Sequence, residues 1–183
     1  MGRQFAANGT AMGDDFQLST STASKAGPDA ARGADERILV VWEDADAPGD
    51  DFEIRARMFS PELSPLGDDF LVNTLTTGVQ RPVRVGSYGA AGFLVAWESA
   101  VSVGGDAEPN SIQGRIVTGN NQFESDQFQL NVYTVASQST PAVGGWGDRV
   151  AVAWRSPSHF DTATNGIIGQ TWSLCGIFCD GFE

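Results

Sequence analysis

Basic residues are scarce in this sequence. Its 183 residues include 11 Lys and Arg against 23 Asp and Glu, which gives a formal net charge of −12. Binding to DNA or RNA needs clustered Lys and Arg on the phosphates, and docking on anionic lipid needs the same charge. The acidity favours solubility and leaves cation binding open. We therefore expect no nucleic-acid partner.

Long apolar runs are also missing. No run approaches the roughly 20 residues that cross a bilayer, so we expect no membrane insertion. Residues 1–9 lack the apolar segment of a signal peptide. Either the protein is cytosolic, or its natural N-terminus lies upstream of this sequence.

Residues and motifs that carry familiar chemistry are few. His159 is the only histidine and lies in a Ser-Pro-Ser-His-Phe segment with no G-x-S-x-G motif. Glycine-rich phosphate loops, dinucleotide fingerprints and Cys/His metal pairs are absent. We predict no catalytic, cofactor-binding or metal-binding residue from motifs.

The sequence does contain one apolar run three times, each ending in tryptophan: residues 38–42, 93–97 and 150–154. Such short runs of aliphatic and aromatic residues predict strands buried on both faces. The tryptophans Trp42, Trp97 and Trp154 are 55 and 57 residues apart. This interval indicates internal repetition, and the 22 glycines suit a turn-rich β protein.

Three further features recur with matching offsets. A run opened by phenylalanine (residues 16–20, 70–74 and 128–132) predicts a strand with one buried face. A proline (Pro28, Pro82, Pro141) follows and is predicted at the first position of a strand. The fourth strand of each unit covers residues 54–59, 112–117 and 167–172.

These features predict an all-β fold of three four-stranded antiparallel, blade-like repeats, a partial (open) β-propeller. Their boundaries are a remnant fourth strand and linker at 1–15, repeats at 16–59, 60–117 and 118–172, and a tail at 173–183. A four-stranded unit of 54 to 59 residues is typical of a propeller blade, and propellers generally close with four to eight blades. The chain is therefore either a piece of a longer array or half of a ring that self-association with a second copy completes.

The pattern F-x-L/V-N-T, proline, F-L-V-A-W-x-S and I-x-G-R/Q, best seen in residues 70–117, resembles the tandem repeats of large bacterial extracellular and surface proteins. The tail 177–183 (Ile-Phe-Cys-Asp-Gly-Phe-Glu) resembles a short C-terminal tail of exported proteins of some Gram-negative bacteria. Both resemblances imply an extracellular or cell-surface location. They also imply propeller-like arrays, often without an assigned activity.

Aromatic residues are the first candidates for ligand contact. Trp42, Trp97 and Trp154 sit inside apolar runs and are predicted as core residues rather than a ligand platform. Trp146 and Tyr88 are placed in glycine-rich turns, where an aromatic can contact a sugar or a protein. A protein or glycan ligand is thus left open.

Acidic residues recur in two kinds of place. A pair precedes the first strand in two units (Asp14-Asp15 and Asp68-Asp69), and the single Asp126 precedes it in the third. A cluster fills the first long loop: Asp44, Asp46, Asp50 and Asp51. Calcium needs six to eight oxygen ligands, and closely spaced aspartates in a loop can begin such a cage. Solvated turn residues are the alternative, since the spacing is not that of an EF-hand.

Two cysteines, Cys175 and Cys179, lie four residues apart in the tail. They can form a local disulfide if the backbone turns, which would suit an exported protein. Two cysteines alone cannot complete a tetrahedral zinc site.

We therefore predict a non-enzymatic extracellular module for adhesion, recognition or display, working through the variable loops. One alternative is part of a propeller-type hydrolase whose catalytic blades are missing, with Arg57 and Arg115 facing substrate. The segment 169–172 matches the end of the S-x-D-x-G-x-T-W box of sialidase-type glycosidases, but Ile167 and Asn165 replace its aspartate and serine. The other alternative is a degenerate fragment without independent function.

Overall fold

The computed structural model describes residues 1–45, 51–157 and 166–173. This part of the chain is entirely β, with no helix and hence none long and apolar enough to cross a membrane. It contains twelve strands: β1 Lys25–Arg32, β2 Ile38–Asp44, β3 Glu53–Phe59, β4 Phe70–Leu71, β5 Gln80–Tyr88, β6 Gly92–Ser99, β7 Ser111–Gly119, β8 Gln122–Phe123, β9 Phe128–Gln129, β10 Ser139–Trp146, β11 Arg149–Ser156 and β12 Gly166–Ser173.

The strands form three antiparallel sheets, which confirms the all-β prediction. Sheet 1 has the order β1-β2-β3-β4; sheet 2 has β5-β6-β7-β8, with β9 also paired to β7; sheet 3 has β10-β11-β12. Each predicted tryptophan run is the second strand of its sheet (β2, β6 or β11). The run is buried on both faces in β2 and β6. In β11 every second residue is half-buried or exposed, so the prediction of burial on both faces was wrong for the third run.

The strands opened by Phe70 and Phe128 do not pair as the first strands of the predicted units. The short strand β4 hydrogen-bonds with β3 of sheet 1, and β9 with β7 of sheet 2, rather than with the strands that follow them. The short connection after β3 or β7 allows the chain to turn back antiparallel on the strand it has just left. Among the described residues, sheet 3 has three strands.

The prolines do not open their strands, so that prediction was wrong. Strands β1, β5 and β10 begin two or three residues earlier, and Pro28, Pro82 and Pro141 lie where the pairing register shifts. A β-bulge leaves a residue without a ladder hydrogen bond, and these strands each have one unpaired edge. Proline, which has no N–H, is compatible with both conditions.

Two apolar interfaces hold the three sheets together. Between sheets 1 and 2 lie Leu39, Val41, Met58, Val95 and Trp97, all fully buried. Between sheets 2 and 3 lie residues such as Leu94, Ile116, Leu130, Val152 and Trp154. Alternate residues of β6 thus face opposite neighbours, as the two-residue period of a strand requires.

The first residues of the chain repeat the outer edge of a sheet. Gly2 and Phe16 exchange two backbone hydrogen bonds of 2.8 Å. This pair has the same place in the repeat as two pairs in sheets 1 and 2, Ala56–Phe70 and Gly114–Phe128. Phe16 and Leu18 pack on Val40 and Trp42, the face of β2 that points away from sheet 2. The structure therefore shows at residues 2–16 the same edge pairing that follows β3 and β7.

Strands β5 and β10 approach each other so closely that only glycine fits at the contact. A Cβ on Gly145 would overlap the backbone carbonyl of Ser87, and one on Gly86 would meet the side chain of Val143. A backbone carbonyl cannot move aside as a side chain can. Replacing Gly145 with alanine therefore requires sheets 2 and 3 to separate.

We expect Gly145→Ala to lower the free energy of unfolding by about 1–3 kcal/mol, as overpacking does in other interiors. Gly144→Ala is the matched control, because a Cβ there meets no atom within 4 Å. Urea unfolding followed by tryptophan fluorescence measures both. Equal stability of the two variants would mean that β5 and β10 are not in contact.

Candidate functional site

The tryptophans belong to buried polar anchors rather than to a ligand platform. Trp97 donates its indole N–H to the amide oxygen of Gln80 at 2.9 Å, and Trp154 donates to Gln138 at 3.1 Å. Each glutamine then donates its amide N–H groups to carbonyls of the preceding loop. Trp42, Trp97 and Trp154 are at most 3% exposed, which confirms their prediction as core residues.

Sheet 1 replaces this amide by an ion pair. Lys25 occupies the position of the glutamine and donates to the carbonyls of Ser21 and Ala23. Asp44, which is fully buried, accepts the indole N–H of Trp42 at 3.2 Å and lies 3.5 Å from the Lys25 ammonium. The two charges divide the donor and acceptor roles of one side-chain amide between them.

A carboxylate follows the tryptophan in two of the three sheets. Glu43 and Glu98 occupy equivalent places at the ends of β2 and β6, and Arg155 takes that place in β11. Glu98 reaches from sheet 2 to sheet 3, where its Oε2 accepts the backbone N–H of Thr140 at 3.1 Å. Burial raises the pKa of Glu98 above its ordinary value, although the Thr140 bond and the nearby Arg155 favour the ionised form.

These glutamates are the functional candidates that motif reasoning missed. The available signal was the polar pair directly after each tryptophan, with glutamate at two of the three places. Glu98 is half-buried and bridges two sheets next to a guanidinium, and a carboxyl with a raised pKa in such a place is a common feature of acid–base sites. Glu98 can therefore hold a proton to higher pH than a solvated glutamate.

An asparagine donates to a carboxylate at the start of β3 and in the loop before β7. Asn73 accepts the N–H of Ile54 at 2.8 Å and donates to the Glu53 carboxylate. Asn131 makes the same bonds with Ile112 and Asp106, at 2.8 Å each. The asparagine of the F-x-L/V-N-T pattern thus holds the start of the longer strand beside it, β3 for Asn73 and β7 for Asn131.

Arg57 and Arg115 bind backbone carbonyls instead of facing a substrate. Arg57 donates to Gly67 and Leu18, and Arg115 donates to Ser125 and Val72. In both cases one carbonyl lies ten residues later. Val72 follows β4 of sheet 1, so Arg115 ties sheet 2 to sheet 1, and Leu18 follows the equivalent edge pairing at residues 2–16.

The two aromatic residues predicted in turns, Tyr88 and Trp146, differ in exposure. Tyr88 is the last residue of β5 and is 1% exposed, so its predicted place in a turn was wrong: it packs between sheets 2 and 3 and is not available to a ligand. Trp146 ends β10 and is 53% exposed. A glycan or protein ligand for Trp146 stays a prediction.

The acidic loops are only partly described. Among residues 1–45, 51–157 and 166–173, no group of three His, Cys, Asp or Glu side chains could hold a metal ion. Asp44 and Asp69 are engaged with Arg55 at 4.0 and 3.5 Å. The predictions for Asp46, Asp50, His159, Cys175 and Cys179 lie outside the described residues.

Comparison with known proteins identifies the fold. No family model and no curated protein matches the sequence. An endo-arabinase from Bacteroides thetaiotaomicron VPI-5482 superposes with a TM-score of 0.50 at 13% identity, over 90% of this chain and 62% of its own. A thermostable family-43 glycoside hydrolase gives 0.50 at 10% identity, over 84% and 56%. The chain shares the β-propeller-like fold of these enzymes. It spans less than two thirds of either.

This finding corrects the prediction made from the sequence. A non-enzymatic module for adhesion, recognition or display is wrong, as is the statement that the protein is not an enzyme, because both similar structures are glycoside hydrolases. The alternative of a propeller-type hydrolase is the one that they support. Short contiguous motifs cannot reveal a site whose carboxylates lie on separate strands, because such residues are brought together only by folding.

Proposed function

We propose that the chain is part of a glycoside hydrolase of propeller type. The observation that carries this proposal is the superposition of 90% of the chain on an endo-arabinase. In this proposal the three sheets are three consecutive blades of a ring that is open in this chain. A second copy or further blades would then close it, and light scattering separates these two arrangements by mass.

Glu98 is the side chain to which we assign the role of general acid. Most glycosidases use a pair of carboxyl groups, one of which must be protonated to donate to the leaving oxygen. Burial at the boundary of sheets 2 and 3 raises the pKa of Glu98, which favours this protonated form.

The substrate class follows from the same comparison. We propose an arabinan-type polysaccharide, and hence an extracellular location, where polysaccharides of this kind are met. The resemblance to repeats of bacterial surface proteins is compatible with that location and stays a prediction. The role of Glu98 does not depend on which sugar is cleaved, because the acid acts on the glycosidic oxygen.

The test is hydrolysis by the purified chain. We expect release of reducing ends from arabinan above a buffer blank, and little or no release from cellulose or xylan as comparators. Circular dichroism must show that the preparation is folded β protein. A folded preparation that releases reducing ends from none of these polysaccharides would contradict the proposal.

A further inference from the structure

Two carboxylates accept a hydrogen bond from an asparagine, Glu53 at the start of β3 and Asp106 in the loop before β7, and their second oxygens are bonded differently. In sheet 2 both oxygens of Asp106 are occupied: Oδ2 accepts from Asn131 at 2.8 Å and Oδ1 accepts the N–H of Glu108 at 3.1 Å. In sheet 1 Oε2 of Glu53 accepts from Asn73. Its other oxygen, Oε1, is buried and has no hydrogen-bond partner among the described residues.

An orphaned carboxylate oxygen in the interior is unfavourable. Glu53 is 7% exposed, and an ionised carboxylate loses much of its solvation at such a site unless a donor or a cation replaces the water. In sheet 2 the loop before β7 satisfies both oxygens of Asp106. Sheet 1 instead leaves one oxygen available.

The surroundings of Glu53 are negatively charged. Asp51 is close enough to Glu53 to raise its pKa, and Arg55, which would neutralise it, is shared with Asp44 and Asp69. Asp44 lies 3.5 Å from Lys25 and 4.0 Å from Arg55, and Asp69 lies 3.5 Å from Arg55, so both cations are already engaged by other carboxylates.

We propose that Glu53 and Asp51 form a divalent-cation site at the start of β3, and that calcium is the ion it takes. Carboxylate oxygens are the ligands that calcium prefers, and backbone carbonyls and water complete its six to eight positions. The ion would occupy the unpartnered side of Glu53. The site is separate from Glu98, so it stabilises sheet 1 whether or not the chain is a hydrolase.

The pKa of Glu53 agrees with this reading. Burial raises it above the ordinary value, the Asn73 bond lowers it, Asp51 raises it again and Arg55 lowers it. Without a cation the ionised group is therefore destabilising at neutral pH. A glutamine at this place keeps the contact with Asn73 and removes the charge.

The experiment is thermal unfolding of the full chain, first treated with EDTA and then given calcium chloride, with sodium chloride at matched ionic strength as reference. At a calcium concentration about 100-fold above its Kd we expect Tm to rise by about 5–10 °C. Glu53→Gln should lose this response while its Tm without calcium is no lower than that of the wild type. Asp106→Asn, which neutralises the other carboxylate bound by an asparagine, should keep the response.

Three results would overturn the proposal. They are a wild-type Tm that does not respond to calcium, an equal response to sodium chloride, and a calcium response that Glu53→Gln retains. If Glu53→Gln does not fold, Asp51→Asn, which is only partly buried, serves as the second variant. A calcium response that Asp51→Asn retains in full would then count against the site.

Discussion

Glu98→Gln should reduce the hydrolysis of arabinan by about 10²–10⁴-fold, the usual contribution of a positioned general acid. Glutamine cannot donate the proton that a glutamic acid supplies to the leaving oxygen. It can still accept the backbone N–H of Thr140, so the bond between sheets 2 and 3 is preserved. The initial rate of reducing-end release, at saturating and at low substrate, measures the loss.

The same variant should not lose stability, which separates chemistry from folding. Because the folded pKa of Glu98 is raised, its contribution to stability is present at low pH and is lost as pH rises through that pKa. Glu98→Gln should therefore be at least as stable as wild type at pH 7, and the difference should shrink towards pH 4. Urea unfolding at several pH values tests this sign.

Glu124→Gln is the control for charge removal, because this glutamate is exposed between β8 and β9. It should leave both activity and stability unchanged. If Glu98→Gln retained activity within about tenfold of the wild type, Glu98 would not be the acid. A large loss of stability at neutral pH would show instead that its charge holds the two sheets together.

Trp97→Ala should lower the free energy of unfolding by about 3–5 kcal/mol, the usual cost of removing a buried aromatic side chain. Trp97 is fully buried in the interface between sheets 1 and 2. The change leaves a cavity there and also removes the donor to Gln80. Urea unfolding followed by circular dichroism measures the loss without relying on tryptophan fluorescence.

Two further variants separate the loss of the buried hydrogen bond from the loss of buried apolar surface. Trp97→Phe retains most of the apolar surface and leaves the Gln80 oxygen without its donor, so we expect an intermediate loss of about 1–3 kcal/mol. Trp146→Ala, at a site 53% exposed, should be nearly neutral. A small effect of Trp97→Ala would mean that the interface of sheets 1 and 2 is not the core.

Much of the architecture could be predicted from local pattern. The apolar runs that end in Trp42, Trp97 and Trp154 identified the second strand of each sheet. Strands β2 and β6 have neighbours on both faces and are buried on both. Matching offsets also related Gly2 to Ala56, and the structure pairs both with a phenylalanine in the same way. These features depend on residues close in sequence.

Other features needed contacts between distant residues. Sheet register decides that Phe70 pairs with the preceding strand β3. It also decides that Pro82 lies in a β-bulge of β5 rather than at its first position. Tyr88 was placed in a turn because glycines surround it, yet the packing of sheet 3 buries it. The residues around Tyr88 in the sequence are the same whether its side chain is exposed in a turn or buried against sheet 3.

By itself, the sequence determined an acidic, all-β chain with a repeated unit and a tryptophan core, since these follow from composition and from side-chain period. Only the tertiary structure decided which carboxylates are unusual. Glu98 and Glu53 resemble other acidic residues in the sequence. Their pKa values are raised because neighbouring strands and sheets remove water from them, and that desolvation exists only once the chain has folded.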